Sequence, residues 1–147
     1  MNIMETAHRT PALIQQLLNV WEASVRATHL FLSDPEIRQI KAYVPDALNA
    51  VEHLIIDENE AGIPIAFMGI ENGTLEMLFA APEERGKGVG KRLLLYGMEH
   101  YGVRRLAVNE QNPQARGFYE HMGFRVCRRT ETDEQSSPYP LLYMCRE

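Results

Sequence analysis

Cysteine is almost missing from this chain. Cys127 and Cys145 are the two present in 147 residues, far apart and without metal-ligand spacing. That scarcity excludes a disulfide scaffold and a cysteine-built metal centre. Both lie in strand-like stretches and read as reduced thiols in or near the core, which fits a cytoplasmic setting. His8, His53, His100 and His121 show no metal-like grouping, so no metal is expected. No run is long and apolar enough to span a membrane, and the N-terminal residues lack the apolar stretch of a signal peptide. Repeats, low-complexity tracts and linkers are also missing. Positive charge is in the minority: 15 Lys and Arg against 20 Asp and Glu leave a net −5, which argues against general nucleic-acid binding. What is present is an ordinary globular composition, 45% hydrophobic and 24% charged. One domain over residues 1–147 is long enough to bury its own core.

The charge is unevenly spread. Between Arg85 and Arg129 ten basic residues meet three acids, a net +7, while the remainder carries five basic and seventeen acidic residues, a net −12. The first part suits a polyanionic ligand and the second a cationic one.

Thr10-Pro11 is a helix start, and Ile14, Leu17, Leu18, Trp21 and Val25 follow at helical spacing. Ser33 and Glu36 stand at capping-box spacing before a second helix with Ile37, Ile40 and Val44 on its apolar face, which Pro45 ends or interrupts. Strands then take over. Asn2–Thr6 has the poor pattern of a short edge strand, and His53–Asp57 and Ile63–Ile70 are apolar and β-rich. Asn72-Gly73 is a hairpin turn leading into Thr74–Phe79. Simple alternation there puts Leu75, Met77 and Phe79 on one side and Glu76 and Leu78 on the other. A helix over Val89–Tyr101, a strand over Val103–Asn109 and a helix from Asn112-Pro113 to Gly123 come next. Strands over Phe124–Arg129 and Tyr139–Cys145, separated by a polar loop, close the chain. The whole reads as a mixed α/β domain around one sheet, ending in βαβ units.

The stretch from Arg85 to Gly90 organises the rest. Gly86, Gly88 and Gly90 remove Cβ atoms between a strand and a helix start, so backbone amides there can approach an anion. Arg85, Lys87, Lys91 and Arg92 add positive charge around them. This is a pyrophosphate-binding turn, but not a Walker A loop, because Arg92 follows Gly90-Lys91 where a hydroxyl would be needed for magnesium. It is not a dinucleotide fingerprint either, because Lys91 and Leu93 stand where the third glycine would be.

Arg85, Gly88 and Gly90, behind Leu78-Phe79-Ala80-Ala81-Pro82, follow the pattern Gln/Arg-x-x-Gly-x-Gly/Ala. Leu106, Val108, Asn112, Ala115, Phe118, Tyr119, Gly123 and Phe124 form a second spaced set. Together they resemble the two signatures of the GNAT superfamily of N-acetyltransferases, over roughly Thr74–Arg129. The earlier helices and Pro138–Leu142 look like a bacterial subgroup of it. The resemblance implies a three-layer fold with a mostly antiparallel, strongly twisted sheet of about six or seven strands, splayed at the cofactor site and flanked by helices.

It also implies acetyl-CoA as the acetyl donor. Arg85, Gly86, Lys87, Gly88, Val89, Gly90 and Lys91 would hold its pyrophosphate, and Leu78, Phe79 and Ala80 its pantetheine arm. Asn112 would bond that arm, cap the following helix, or do both. Tyr119 is the implied general acid for the departing thiolate, with a core tyrosine as the alternative. Glu76 is the candidate base for the attacking amine, with an ion-paired or solvent-facing strand residue as the alternative. His29 is a second candidate base. Trp21, His29, Phe31 and Tyr139 would shape the acceptor pocket. The acceptor is a small-molecule or protein amine, attacked directly in a ternary complex. Members of the superfamily are often dimers, so a homodimer is compatible with the resemblance. A non-catalytic acyl-CoA sensor is the alternative function.

Overall fold

Local signals set the first elements of the computed structural model, which describes residues 2–147. The Thr10 hydroxyl accepts from the Leu13 amide and Pro11 occupies the first turn of α1 (Pro11–Thr28). Ser33 and Glu36 form a reciprocal capping box at the start of α2 (Asp34–Lys41). Pro45 does more than end that helix. It stands in the first turn of a separate short helix, α3 (Val44–Ala50), because proline is tolerated where the amide needs no partner.

Among the described residues seven strands make one sheet: β1 (Asn2–Glu5), β2 (His53–Glu58), β3 (Pro64–Glu71), β4 (Thr74–Ala80), β5 (Arg105–Asn109), β6 (Arg125–Thr130) and β7 (Leu141–Cys145). Their spatial order is β1-β2-β3-β4-β5-β7-β6. Among the described residues only β4 and β5 are parallel neighbours, linked over α4 (Val89–Tyr101). After β5 the chain crosses α5 (Pro113–His121) to β6, and β7 then returns between β5 and β6, antiparallel to both. The second βαβ unit thus has a strand inserted into it.

The sheet separates two cores. Leu17, Trp21, Leu48, Leu54 and Phe67 pack on the face covered by α1 to α3, and Met68, Ile70, Leu93, Leu94 and Leu106 on the other. Among the described residues no helix is long and apolar enough to cross a membrane. Cys127 and Cys145 are free thiols, but Cys127 is exposed rather than near-core. It lies on the edge strand beside a register shift between Val126 and Arg128, where the pleat no longer points it inward.

One irregularity matters for the site. Gly69 pairs with Met77 and the adjacent Ile70 pairs with Leu75, so Glu76 is the extra residue of a β-bulge. The bulge resets the alternation of β4. Leu75 packs on the α4 side with Leu78 and Ala80, whereas Met77 and Phe79 pack on the α1 side. Leu75 therefore does not share a face with Met77, contrary to simple alternation. Gly69 permits this geometry, because a Cβ there would sit 2.7 Å from Met77 Cγ.

Candidate active site

β4 and β5 are in register only at Thr74–Arg105 and Leu75–Leu106, and beyond that they part. A cavity of about 480 Å³ lies between them. β4 contributes Glu76, Leu78 and Phe79 to its lining, α5 contributes Ala115 and Tyr119, and Asn112 and His29 complete the residues singled out from the sequence.

Tyr119 comes to the cavity from the second turn of α5, a helix opened by Pro113 and capped by Asn112. Its ring packs edge-on to Phe118 and Phe124, at 5.2 and 6.0 Å between centroids. Burial pushes its phenol well above the ordinary value. Asn112 is itself buried, and its Oδ1 accepts from the Ala115 amide at 3.2 Å, so the capping role is realised while the residue lines the cavity. Glu76 is exposed by area but faces the cavity from the bulge. Its carboxyl is raised above 4.5, first by desolvation and then by the negative charges of Glu134 and Glu71. His29, just after α1, bonds to the Thr28 hydroxyl at 2.8 Å, and burial lowers its pKa. A depressed pKa favours the neutral ring.

Other residues fall elsewhere. Trp21 is 5% exposed, packs at 6.5 Å from the Phe79 ring, and belongs to the core rather than to the lining. Its helical spacing with Leu17, Leu18 and Val25 explains this, since those positions form the buried stripe of α1. Phe31 and Tyr139 line a neighbouring cavity of about 500 Å³ with Glu36 and Asp133, and their rings lie 5.5 Å apart. Tyr139 precedes β7 instead of lying in it, and its hydroxyl donates to Glu36. Ala80 ends β4 outside both linings. Two acidic or polar wall residues, Glu134 and Asn109, have no periodic or motif signal that would reveal them.

At the far end of β4 a 3₁₀ turn, Pro82–Glu84, leads into the glycine stretch. Gly86 and Gly88 have φ of 78° and 77°, the left-handed region where a side chain would be strained. Among the described residues no backbone acceptor meets the amides of Gly86, Gly88, Val89, Gly90 or Lys91. Those of Val89, Gly90 and Lys91 are the first amides of α4, which lack partners within their own helix. Nothing lies within 4 Å of a Cβ built on Gly86. The turn is thus an open row of donors on the positive end of a helix, which fits a pyrophosphate. Its cations are partly committed already: Arg85 donates to Gln114 at 2.8 Å, and Lys87 pairs with Glu84 at 3.1 Å.

A cleft between parting parallel strands, with an anion cradle at one end and a phenol and a carboxyl at the other, fits a CoA-dependent acyltransferase. The model of the acetyltransferase (GNAT) domain matches residues 49–126. The peptidyl-lysine N-acetyltransferase YjaB of Salmonella typhimurium is 38% identical over 130 residues, 87% of this chain and 88% of that protein. The solution structure of apo YjaB from Escherichia coli superposes with a TM-score of 0.87 at 35% identity, over 98% of this chain and 95% of that one. A PaiA N-acetyltransferase from Thermoplasma acidophilum, solved in complex with coenzyme A, shares the fold at a TM-score of 0.71 and 23% identity, over 97% of this chain and 98% of that one. The chain belongs to the GNAT family, and it is an acetyl-CoA-dependent N-acetyltransferase rather than a non-catalytic acyl-CoA sensor.

Proposed function

We propose that this enzyme acetylates the side-chain amine of peptidyl lysine, and that one domain carries the whole reaction. The observation that carries the reading is the convergence of Glu76, from β4, and Tyr119, from α5, on one cavity. The acceptor class rests on the similarity to the YjaB peptidyl-lysine N-acetyltransferases and on the two acids, Glu76 and Glu134, in the cavity wall. A lysine ammonium with a pKa near ~10.4 must lose a proton before it can attack. Glu76 accepts that proton, and its raised pKa makes it a better base than an ordinary carboxylate. The bound donor supplies a thioester carbonyl to the amine. Tyr119 stays protonated at neutral pH because burial disfavours the phenolate, so it has a proton to give to the departing sulfur. Arg85 to Lys91 would hold the pyrophosphate, Leu78 to Ala80 would offer backbone bonds to the pantetheine arm along the free side of β4, and Asn112, the cap of α5, would bond that arm. No acetyl-cysteine forms, since neither Cys127 nor Cys145 lines the cavity.

The test is acetyl-CoA turnover, read by free-thiol release and by mass of the product. It uses a lysine peptide with a blocked N-terminus, the same peptide with lysine replaced by arginine and its N-terminus free, and a set of small amines. Acetylation of the blocked lysine peptide is expected to dominate. Preference for the free α-amine or for a small amine would replace the proposed acceptor.

A further inference from the structure

Asp57 is an acid in the middle of the sheet, on β2. It is 0% exposed, and among the described residues neither of its carboxylate oxygens accepts a hydrogen bond. A carboxylate in that position is costly unless a cation compensates it. The cation is Arg92 of α4, whose Nη2 lies 3.6 Å from Asp57 Oδ2. Arg92 reaches the other way as well: its Nη1 donates to the backbone carbonyl of Lys87 at 3.0 Å, inside the glycine stretch. The side chain is 38% exposed, so one end of it is buried against the sheet while the other lies on the turn.

The Lys87 contact has a geometric consequence. The carbonyl and the N–H of one trans peptide point in opposite directions. Drawing the Lys87 oxygen toward Arg92 therefore aims the Gly88 N–H away from it, on the side where an anion can be met. It also keeps a carbonyl, which would repel phosphate, from turning into the cradle. A guanidinium can do both jobs at once because its planar fork presents several donors in fixed directions. Asp57 stands on the buried side of that pose.

We propose that Asp57 is a positioning residue for the donor site: it fixes Arg92, and Arg92 fixes the Lys87–Gly88 peptide in the orientation that binds pyrophosphate. The inference rests on the assignment of Arg85 to Lys91 as the pyrophosphate turn. It adds a residue outside both sequence signatures, about thirty positions before the turn it governs, a separation the folded sheet closes.

The test compares two acetyl donors, acetyl-CoA and S-acetylpantetheine, which lacks the pyrophosphate. Asp57→Asn removes the buried charge. Arg92→Lys keeps a cation beside Asp57, which protects the fold, but loses the fork that reaches Lys87. Each variant is expected to raise the KM for acetyl-CoA about tenfold, the size of one charge-assisted hydrogen bond, with kcat held. S-acetylpantetheine turnover should be unchanged, and the double variant should be no weaker than the weaker single one, because the two residues act in series. An equal loss on both donors would make Asp57 a general stabiliser of the fold and overturn the proposal, as would additive effects in the double variant. If the parent enzyme itself shows no preference for acetyl-CoA over S-acetylpantetheine, the turn assignment falls and the brace with it.

Discussion

Tyr119 and Glu76 owe their proposed roles to one effect, since desolvation raises both pKa values, keeping the phenol an acid and making the carboxylate a better base. The Tyr119 ring packs against Phe118 and Phe124, and the residue lines the cavity. Tyr119→Phe keeps that packing and removes the proton, so kcat should fall by about 10²–10⁴ with CoA affinity retained in calorimetry. An unchanged kcat would return Tyr119 to the core. Glu76 must be deprotonated to act, and desolvation with Glu134 and Glu71 raises its pKa above 4.5. Activity should therefore fall as pH drops through that raised value, giving kcat/KM an acidic limb that begins at higher pH than an unperturbed carboxylate would produce. Glu134→Gln removes a like charge and lowers the Glu76 pKa, so the limb should move to lower pH. Glu76→Gln should abolish it. A limb that survives Glu76→Gln would transfer the base role elsewhere.

At the scale of elements, the bulge on β4 has the largest effect. Gly69 lets Met77 lie over the neighbouring strand, and a methyl group there would meet Met77 Cγ at 2.7 Å. Gly69→Ala should cost about 1–3 kcal/mol through overpacking, measurable as a lower denaturation midpoint. Most element positions were legible beforehand because their signals are local: the capped starts at Thr10 and Ser33, the Asn72-Gly73 hairpin and the glycine stretch. α3 was missed because Pro45 reads equally as a stop and as a first-turn residue. The bulge was missed because its cause, close approach of Met77 to Gly69, lies across two strands. For the same reason the turn itself was readable in sequence, whereas the Asp57–Arg92 contact that holds it was not.

On the scale of the whole molecule, one sheet serves two cores and one cleft. Trp21 illustrates the division of labour. It lies in the α1-side core under Phe79, which itself lines the cavity. Trp21→Ala should destabilise the fold by about 3–5 kcal/mol in urea while leaving the acceptor KM unchanged at temperatures where the variant remains folded. A selective rise in acceptor KM would restore Trp21 to the acceptor pocket. The acid-rich remainder of the chain and the basic stretch from Arg85 to Arg129 meet at the cleft, where Glu76 and Glu134 face the lining that Arg105 also enters.

The order of the strands is not the order of their synthesis. β5 and β6 both emerge before β7, and in the finished sheet each pairs with β7 rather than with the other. Leu141 and Tyr143, on that late strand, also belong to the cavity lining. A growing chain can form the hairpin of β3 and β4 and dock α4 early, through contacts close in sequence, but the cleft stays open on one side until these last residues are available. The complete cleft is therefore available to the acetyl donor only once β7 is in place.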